Sequence, residues 1–182
     1  MSKAIGMIEF KTVSAGITAA DTMVKTAQVE LLEAQTVCPG KYIALIGGAL
    51  SAVQAAVEAA KQVRGEELIG SFVLGNPHES IFPAIYGSTH IEKVNAFGIL
   101  ETYDAASIIV AADVAAKTAN VDLIELRIAK GMCGKSYLIL TAEVAPVEPP
   151  IGKANQAAAN DRMYLDSSVI AHPDEQICRS IL

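Results

Sequence analysis

The sequence predicts an α+β protein built from two tandem copies of one small domain. Three observations carry this: a repeat at constant spacing, an order of strands and helices that recurs in both copies, and an unusually apolar composition. Ala4-Ile5-Gly6-Met7-Ile8-Glu9 returns as Ala96-Phe97-Gly98-Ile99-Leu100-Glu101, a spacing of 92 residues. At that spacing Ala19-Ala20-Asp21, Lys25-Thr26-Ala27, Val29 and Leu31 return as Ala111-Ala112-Asp113, Lys117-Thr118-Ala119, Val121 and Leu123. A period of about 90 residues is too long for a solenoid unit and right for a small domain. The domains are expected over 1–88 and 95–182, with a linker near 87–95.

Each element has a local reason. Residues 4–13 alternate and predict a strand; Ile17, Ala20, Val24 and Ala27 share one helical face from Ser14, the expected N-cap, to Gln28. Val29 to Val37 reads as a second strand, and Cys38-Pro39-Gly40-Lys41 as a turn. Tyr42 to Ile46 is a third strand, ended by Gly47-Gly48. A second helix follows with Val53, Ala56, Val57 and Ala60 on one face. Leu68 to Leu74 is a fourth strand. Asn76-Pro77 then reads as N-cap and first helical residue of a short helix with Ile81, Phe82 and Ile85 inward.

The second copy repeats the order: strand 96–103, helix 105–119, strand 121–129, turn 130–135, strand 136–142, helix, strand 164–170, and a helix from Pro173. Pro149-Pro150 and Gly152 are expected to delay or shorten its middle helix. Its turn, Lys130-Gly131-Met132-Cys133-Gly134-Lys135, is two residues longer. The order β-α-β-β-α-β in each copy is the ferredoxin-like arrangement.

Composition bounds the function. Hydrophobic residues make up 52% of the 182 and charged residues 19%, more apolar than an average soluble chain; the excess is read as surface for the other copy and for other subunits. The uncharged stretch from Tyr42 to Val57 is interrupted by glycines and falls short of the roughly 20 residues of a membrane span. No leader is expected, because the first apolar residues already belong to the repeat. A net charge of −6 and the lack of tryptophan speak against nucleic-acid binding, which needs a basic face. Three cysteines, an odd number, fit a reducing compartment.

Ala-x-Gly-x-x-Glu opening a strand, Ala-Ala-Asp-x-x-x-Lys on the first helix, a Gly-Lys turn and a closing Val-(Leu/Ile)-x-x-Pro occur in this order twice. The pattern resembles the bacterial microcompartment shell domain in its unpermuted tandem form, over nearly the whole chain. That resemblance implies a homotrimer whose six domains imitate a hexagonal tile, laid against other shell proteins in a shell within the cytoplasm. It places Cys38, Pro39, Gly40 and Lys41, with Gly131, Met132, Cys133 and Gly134, in turns lining a central pore. It also puts Lys25 and Lys117 at the tile edge. The family often has arginine before the final proline of each copy; here Asn76 and His172 stand there.

Within the tandem type the pattern is most similar to members in which one cysteine of the first pore turn, contributed by each of three chains, holds an iron–sulfur cluster. The matching residue is Cys38, and the implied cofactor is one cluster per trimer, 4Fe–4S in type. Such a cluster implies electron transfer across the shell, with an enclosed redox enzyme as a further partner. Cys38 also has a case of its own. A thiol before Pro and Gly lies in a turn, and Lys41 and turn amides would favour the metal-binding thiolate. Cys-Pro also closes ferredoxin cluster motifs. From one chain alone a free thiol is the simpler reading; the resemblance favours ligation. Cys133 is a second ring of thiols, a spare ligand or neither, and Cys178 is core.

Glu9 and Glu101 are expected to make structural hydrogen bonds. His78, His90 and His172 have no partner at metal-ligand spacing. No local motif suggests a catalytic triad, and Gly47-Gly48 is not a phosphate loop. The chain is read as a structural protein, not an enzyme. The alternative function is a passive transport tile whose pore passes small metabolites without a cluster.

Overall fold

A computed structural model of the chain describes residues 4–91, 93–142, 146–160 and 162–182. They form two compact units whose limits differ from those of the repeats. The first unit runs to Pro77 and also takes in Asp104–Ala106 and Ala129–Gly134. The second comprises His78–Tyr103, Ser107–Ile128 and Lys135–Leu182.

In the first unit β1 (Ala4–Phe10), α1 (Val13–Thr26), β2 (Val29–Val37), β3 (Lys41–Gly48), α2 (Leu50–Lys61) and β4 (Leu68–Gly75) follow in order. The sheet runs β2-β3-β1-β4 with every neighbour antiparallel. All seven residues of β1 are buried, as befits a central strand. Ala4, Ile8 and Phe10 pack with Ala15, Ala19, Met23, Val53, Ala56, Val57 and Ala60 of the two helices. Side chains alternate along a strand, so Ile5, Met7 and Glu9 point to the opposite face. Gly6 is where α2 comes closest: a Cβ there would lie 2.7 Å from both Val53 Cγ1 and Val57 Cγ2.

The second unit carries α3 (Ile81–Tyr86), β5 (Ala96–Thr102), most of α4 (Ala105–Thr118), β6 (Asp122–Arg127), β7 (Ser136–Thr141), α5 (Glu148–Asn160), β8 (Tyr164–Ala171) and α6 (Glu175–Ile181). Its sheet runs β6-β7-β5-β8, again antiparallel. Both sheets therefore have the predicted ferredoxin-like order. Phe97, Ile124 and Ile139 form an apolar cluster joined by Ile91, Val94, Cys178 and Ile181.

Several local expectations are corrected. Thr12, not Ser14, precedes α1, and its side chain makes no capping bond. Gly47 and Gly48 continue β3 instead of ending it, because extended backbone costs glycine only entropy. Asn76 adopts φ 62° and is not the N-cap of α3, which starts at Ile81 after Ser80. Ile81 and Ala84 are the buried residues of α3, while Phe82 is half-buried and stacks on Tyr86. α6 starts at Glu175 instead of Pro173, and Asp174 caps it by accepting from the Gln176 amide (2.8 Å). α5 is delayed as expected, starting at Glu148 after a strand that ends at Thr141, where only Ala49 separates Gly48 from the start of α2 at Leu50. At 13 residues it is not shortened relative to the 12 of α2; its prolines fall in the first turn, where the N–H they lack would have no intrahelical acceptor.

Candidate metal centre in the first turn

The turn from β2 to β3 is closed by the Gly40 amide donating to the Val37 carbonyl (2.9 Å). Gly40 has φ 111° and a cis peptide joins Cys38 to Pro39. The Cys38 amide donates to the Ala129 carbonyl (3.0 Å), within the same unit. Cys38 is half-buried and lies in a shallow open depression with Thr36, Val37, Pro39, Gly40, Lys130 and Gly131 around it. Lys130 Nζ is held 3.0 Å from Glu33 Oε1 at the edge of this region.

The groups expected to act on the Cys38 sulfur have partners elsewhere. The amides of Cys38 and Gly40 both donate to backbone carbonyls, so neither is left for the sulfur. Lys41 turns its ammonium to Glu9 Oε1 (2.9 Å) and to the Gly134 carbonyl (3.3 Å). Its charge is matched there by a carboxylate with no exposed surface. The other oxygen of Glu9 accepts from the Ala105 amide (2.8 Å), the first residue of α4. Glu9 is thus a structural hydrogen-bond acceptor, as expected, but its partners are new. The signal was an acid between Ile8 and Phe10 on a central strand, where a buried carboxylate needs partners.

The remaining candidates are dispersed. Cys133 is exposed and has φ 51° in the longer turn, between Gly131 (φ 73°) and Gly134 (φ 86°). Cys178 packs against the Phe97 cluster, with Sγ 3.9 Å from the Pro173 carbonyl. Lys25 pairs with Asp21 and Lys117 with Asp113, each at 2.6 Å one helical turn apart. Asp113 also accepts from the His78 amide (2.7 Å). Among the described residues of one chain, no three His, Cys, Asp or Glu side chains gather as a metal site. Any cluster held by Cys38 would need further ligands from beyond the described residues of one chain. In donor type and accessibility the residue fits such a group.

A second polar cluster lies in the second unit. Arg127 Nε and Nη2 donate to Glu125 Oε1 (2.9 and 2.6 Å), and the Tyr137 hydroxyl donates to Glu125 Oε2 (2.6 Å). They line a cavity of about 570 Å3 with Ile91, Ile124 and Ile139. Burial first, then the bond to Glu125, pushes the Tyr137 hydroxyl up to about 12. A folded-state value raised above the unfolded one stabilises fully below pH ~10 and is lost as pH rises toward 12. Absorbance titration should accordingly show one of the five tyrosines ionising late, and the Tyr137→Phe protein should lack that late component.

The BMC domain pattern matches residues 4–77 and 96–173. The chain belongs to the bacterial microcompartment shell family. This shell protein is 38% identical over 182 residues to the microcompartment shell protein PduT of Citrobacter freundii, covering all of this chain and 99% of that one. A single-domain relative, the carboxysome shell protein CcmK2 of Synechocystis sp., is 39% identical over 85 residues, 44% of this chain and 82% of its own length. Among solved structures, a microcompartment protein from Desulfitobacterium hafniense DCB aligns with a TM-score of 0.85 at 44% identity, over 98% of this shell protein and 99% of that chain. The fused permuted hexameric shell protein MSM0275 shares the fold at a TM-score of 0.62 and 19% identity, over 87% and 82% of the two chains. The shell protein is therefore a structural component of a microcompartment shell, and none of its described helices is long and apolar enough to cross a membrane.

Proposed function

We propose that this shell protein is a homotrimeric tile whose three Cys38 thiolates hold one iron–sulfur cluster, 4Fe–4S in type, on the three-fold axis. The observation that carries the reading is the Cys38 thiol itself, accessible in an open depression at a strand turn. Full-length similarity to PduT supports the tandem tile. When bound, a cluster of this kind supplies one-electron redox chemistry, here electron transfer across the shell to an enclosed redox enzyme. The chain's part is to present the thiolate: the Val37–Gly40 bond keeps the turn tight, and the Cys38 amide is anchored on Ala129. Lys25 and Lys117, each paired with an aspartate on its helix, are proposed to meet neighbouring tiles. The role is structural and conductive, without catalysis.

Anaerobic purification of wild type and Cys38→Ala, with iron and acid-labile sulfide assays and electron paramagnetic resonance, tests this. Wild type is expected to contain iron and sulfide and to give a reducible signal, both lost in Cys38→Ala. Equal iron and sulfide in the two proteins would remove Cys38 as ligand. A wild-type trimer free of iron that passes a small solute would support the passive pore.

A further inference from the structure

A carboxylate at the same place in both copies is satisfied in two different ways. Glu33 and Glu125 are 92 residues apart, and β2 and β6 both shift register just before that residue. In the second copy the partners are local. Arg127, two residues on, donates twice to Glu125 Oε1, and the Tyr137 hydroxyl donates to Oε2. The first copy has neither group: residue 35 is glutamine, and Ile43 stands against Glu9 where Tyr137 stands against Glu101.

Glu33 must therefore find its cation elsewhere. Its side chain is only 14% exposed, and a carboxylate so placed needs an opposite charge. Gln35 donates to Oε1, and so does Lys130 Nζ at 3.0 Å, from 97 residues further along the chain. Oε2 is buried and meets no donor among the described residues. Lys130 has no other acceptor among them, so Glu33 fixes where its ammonium sits. Both residues belong to the first unit.

Lys130 lines the open depression that also holds Cys38, while Glu33 does not. The pair thus turns its positive end to the depression and keeps its carboxylate behind. At the repeat spacing Lys130 is also the counterpart of Cys38. Each opens its turn, a thiol in one copy and an ammonium in the other.

We infer that Lys130, positioned by Glu33, sets the electrostatic field at Cys38 and raises the reduction potential of the cluster that Cys38 holds. The second half rests on the proposed cluster; the first does not. A cluster that takes an electron gains one negative charge, and a fixed ammonium nearby favours that state. In the proposed trimer three such lysines act on one cluster. Glu33 is the positioning residue: it holds the lysine in place and moderates its charge. Because the Lys130 side chain is 48% exposed, its field is screened by salt.

Alkylation of the cluster-free, full-length protein reads this field. Iodoacetate is an anion and iodoacetamide is neutral, so the ratio of their rates at Cys38, followed on that peptide by mass spectrometry, cancels the thiol's own reactivity. Lys130→Gln should lower the ratio about threefold, the Coulomb effect of one neighbouring charge in water. Glu33→Gln should raise it, Lys130→Arg should keep it, and ~1 M salt should erase the differences. Circular dichroism checks folding. The double variant Glu33→Gln/Lys130→Gln leaves no unpaired buried charge and should still fall below the wild-type ratio.

In the iron-loaded protein, poised where wild type is half reduced, Lys130→Gln should show a reduced-to-oxidised ratio about tenfold lower, because three lysines change together. A loosened turn would not move the two single variants in opposite directions. A rate ratio unchanged in Lys130→Gln, or moved the same way by both single variants, overturns the inference. A potential that ignores Lys130 overturns its second half. An iron-free wild type overturns the cluster reading and the potential with it, while the alkylation ratio still decides the field at Cys38.

Discussion

Replacing Glu9 with alanine is expected to destabilise the first unit by about 3–5 kcal/mol, the usual cost of removing one member of a buried ion pair. The carboxylate has no exposed surface and the Lys41 side chain only 15%. Removing it takes away the carboxylate 2.9 Å from the Lys41 ammonium, which keeps the Gly134 carbonyl at 3.3 Å. It also strips the Ala105 amide of its acceptor at the first turn of α4. Chemical denaturation at fixed protein concentration reads the loss as a lower midpoint, and concentration must be fixed because association adds to apparent stability.

The pair can be dissected. Glu9→Gln keeps an oxygen for the Ala105 amide and removes only the charge, so it should cost less than alanine. Combining it with Lys41→Met removes both charges and should recover most of the loss, because an absent pair is cheaper than half of one. An alanine variant within about 1 kcal/mol of the parent would mean that water reaches Lys41 freely and the pair behaves as a surface one.

The fold was largely legible because its signals are local. The helical face Val53, Ala56, Val57 and Ala60 is the buried face of α2, and the strand from Val29 to Val37 ends where Cys-Pro-Gly begins. Helix starts were less legible, since Thr12 and Ser14 are hydroxyl residues two positions apart and the Thr12 side chain makes no capping bond. Asn76-Pro77 misled for a related reason: asparagine tolerates left-handed backbone as readily as it caps. The position of Cys38 in an accessible turn followed from Cys-Pro-Gly alone. Its electrostatics did not, because the groups that claim Lys41 and the Cys38 amide are Glu9, Gly134 and Ala129. Those lie far along the chain, and no spacing rule links a turn lysine to a carboxylate 32 residues before it.

Mixing wild-type and Cys38→Ala chains in one cell should cut cluster content far more than half. If chains assort freely, equal expression gives trimers with three, two, one and no Cys38 thiols in the ratio 1:3:3:1. A cluster that needs all three thiolates then survives in about one-eighth of the trimers, since too few cysteines remain in the rest. One that tolerates a solvent or Cys133 ligand in place of a missing thiolate survives in about half, because two-thiol trimers also count. A cluster held by single chains would fall only in proportion to Cys38. Iron and labile sulfide per trimer, measured across several expression ratios, separate the three curves. The cubic dependence is expected, because Cys133 lies in the other, longer turn with its own left-handed backbone at φ 51°, and the Cys38 turn offers no second thiol. A linear dependence would place any bound iron away from the three-fold axis, whatever spectrum it gave.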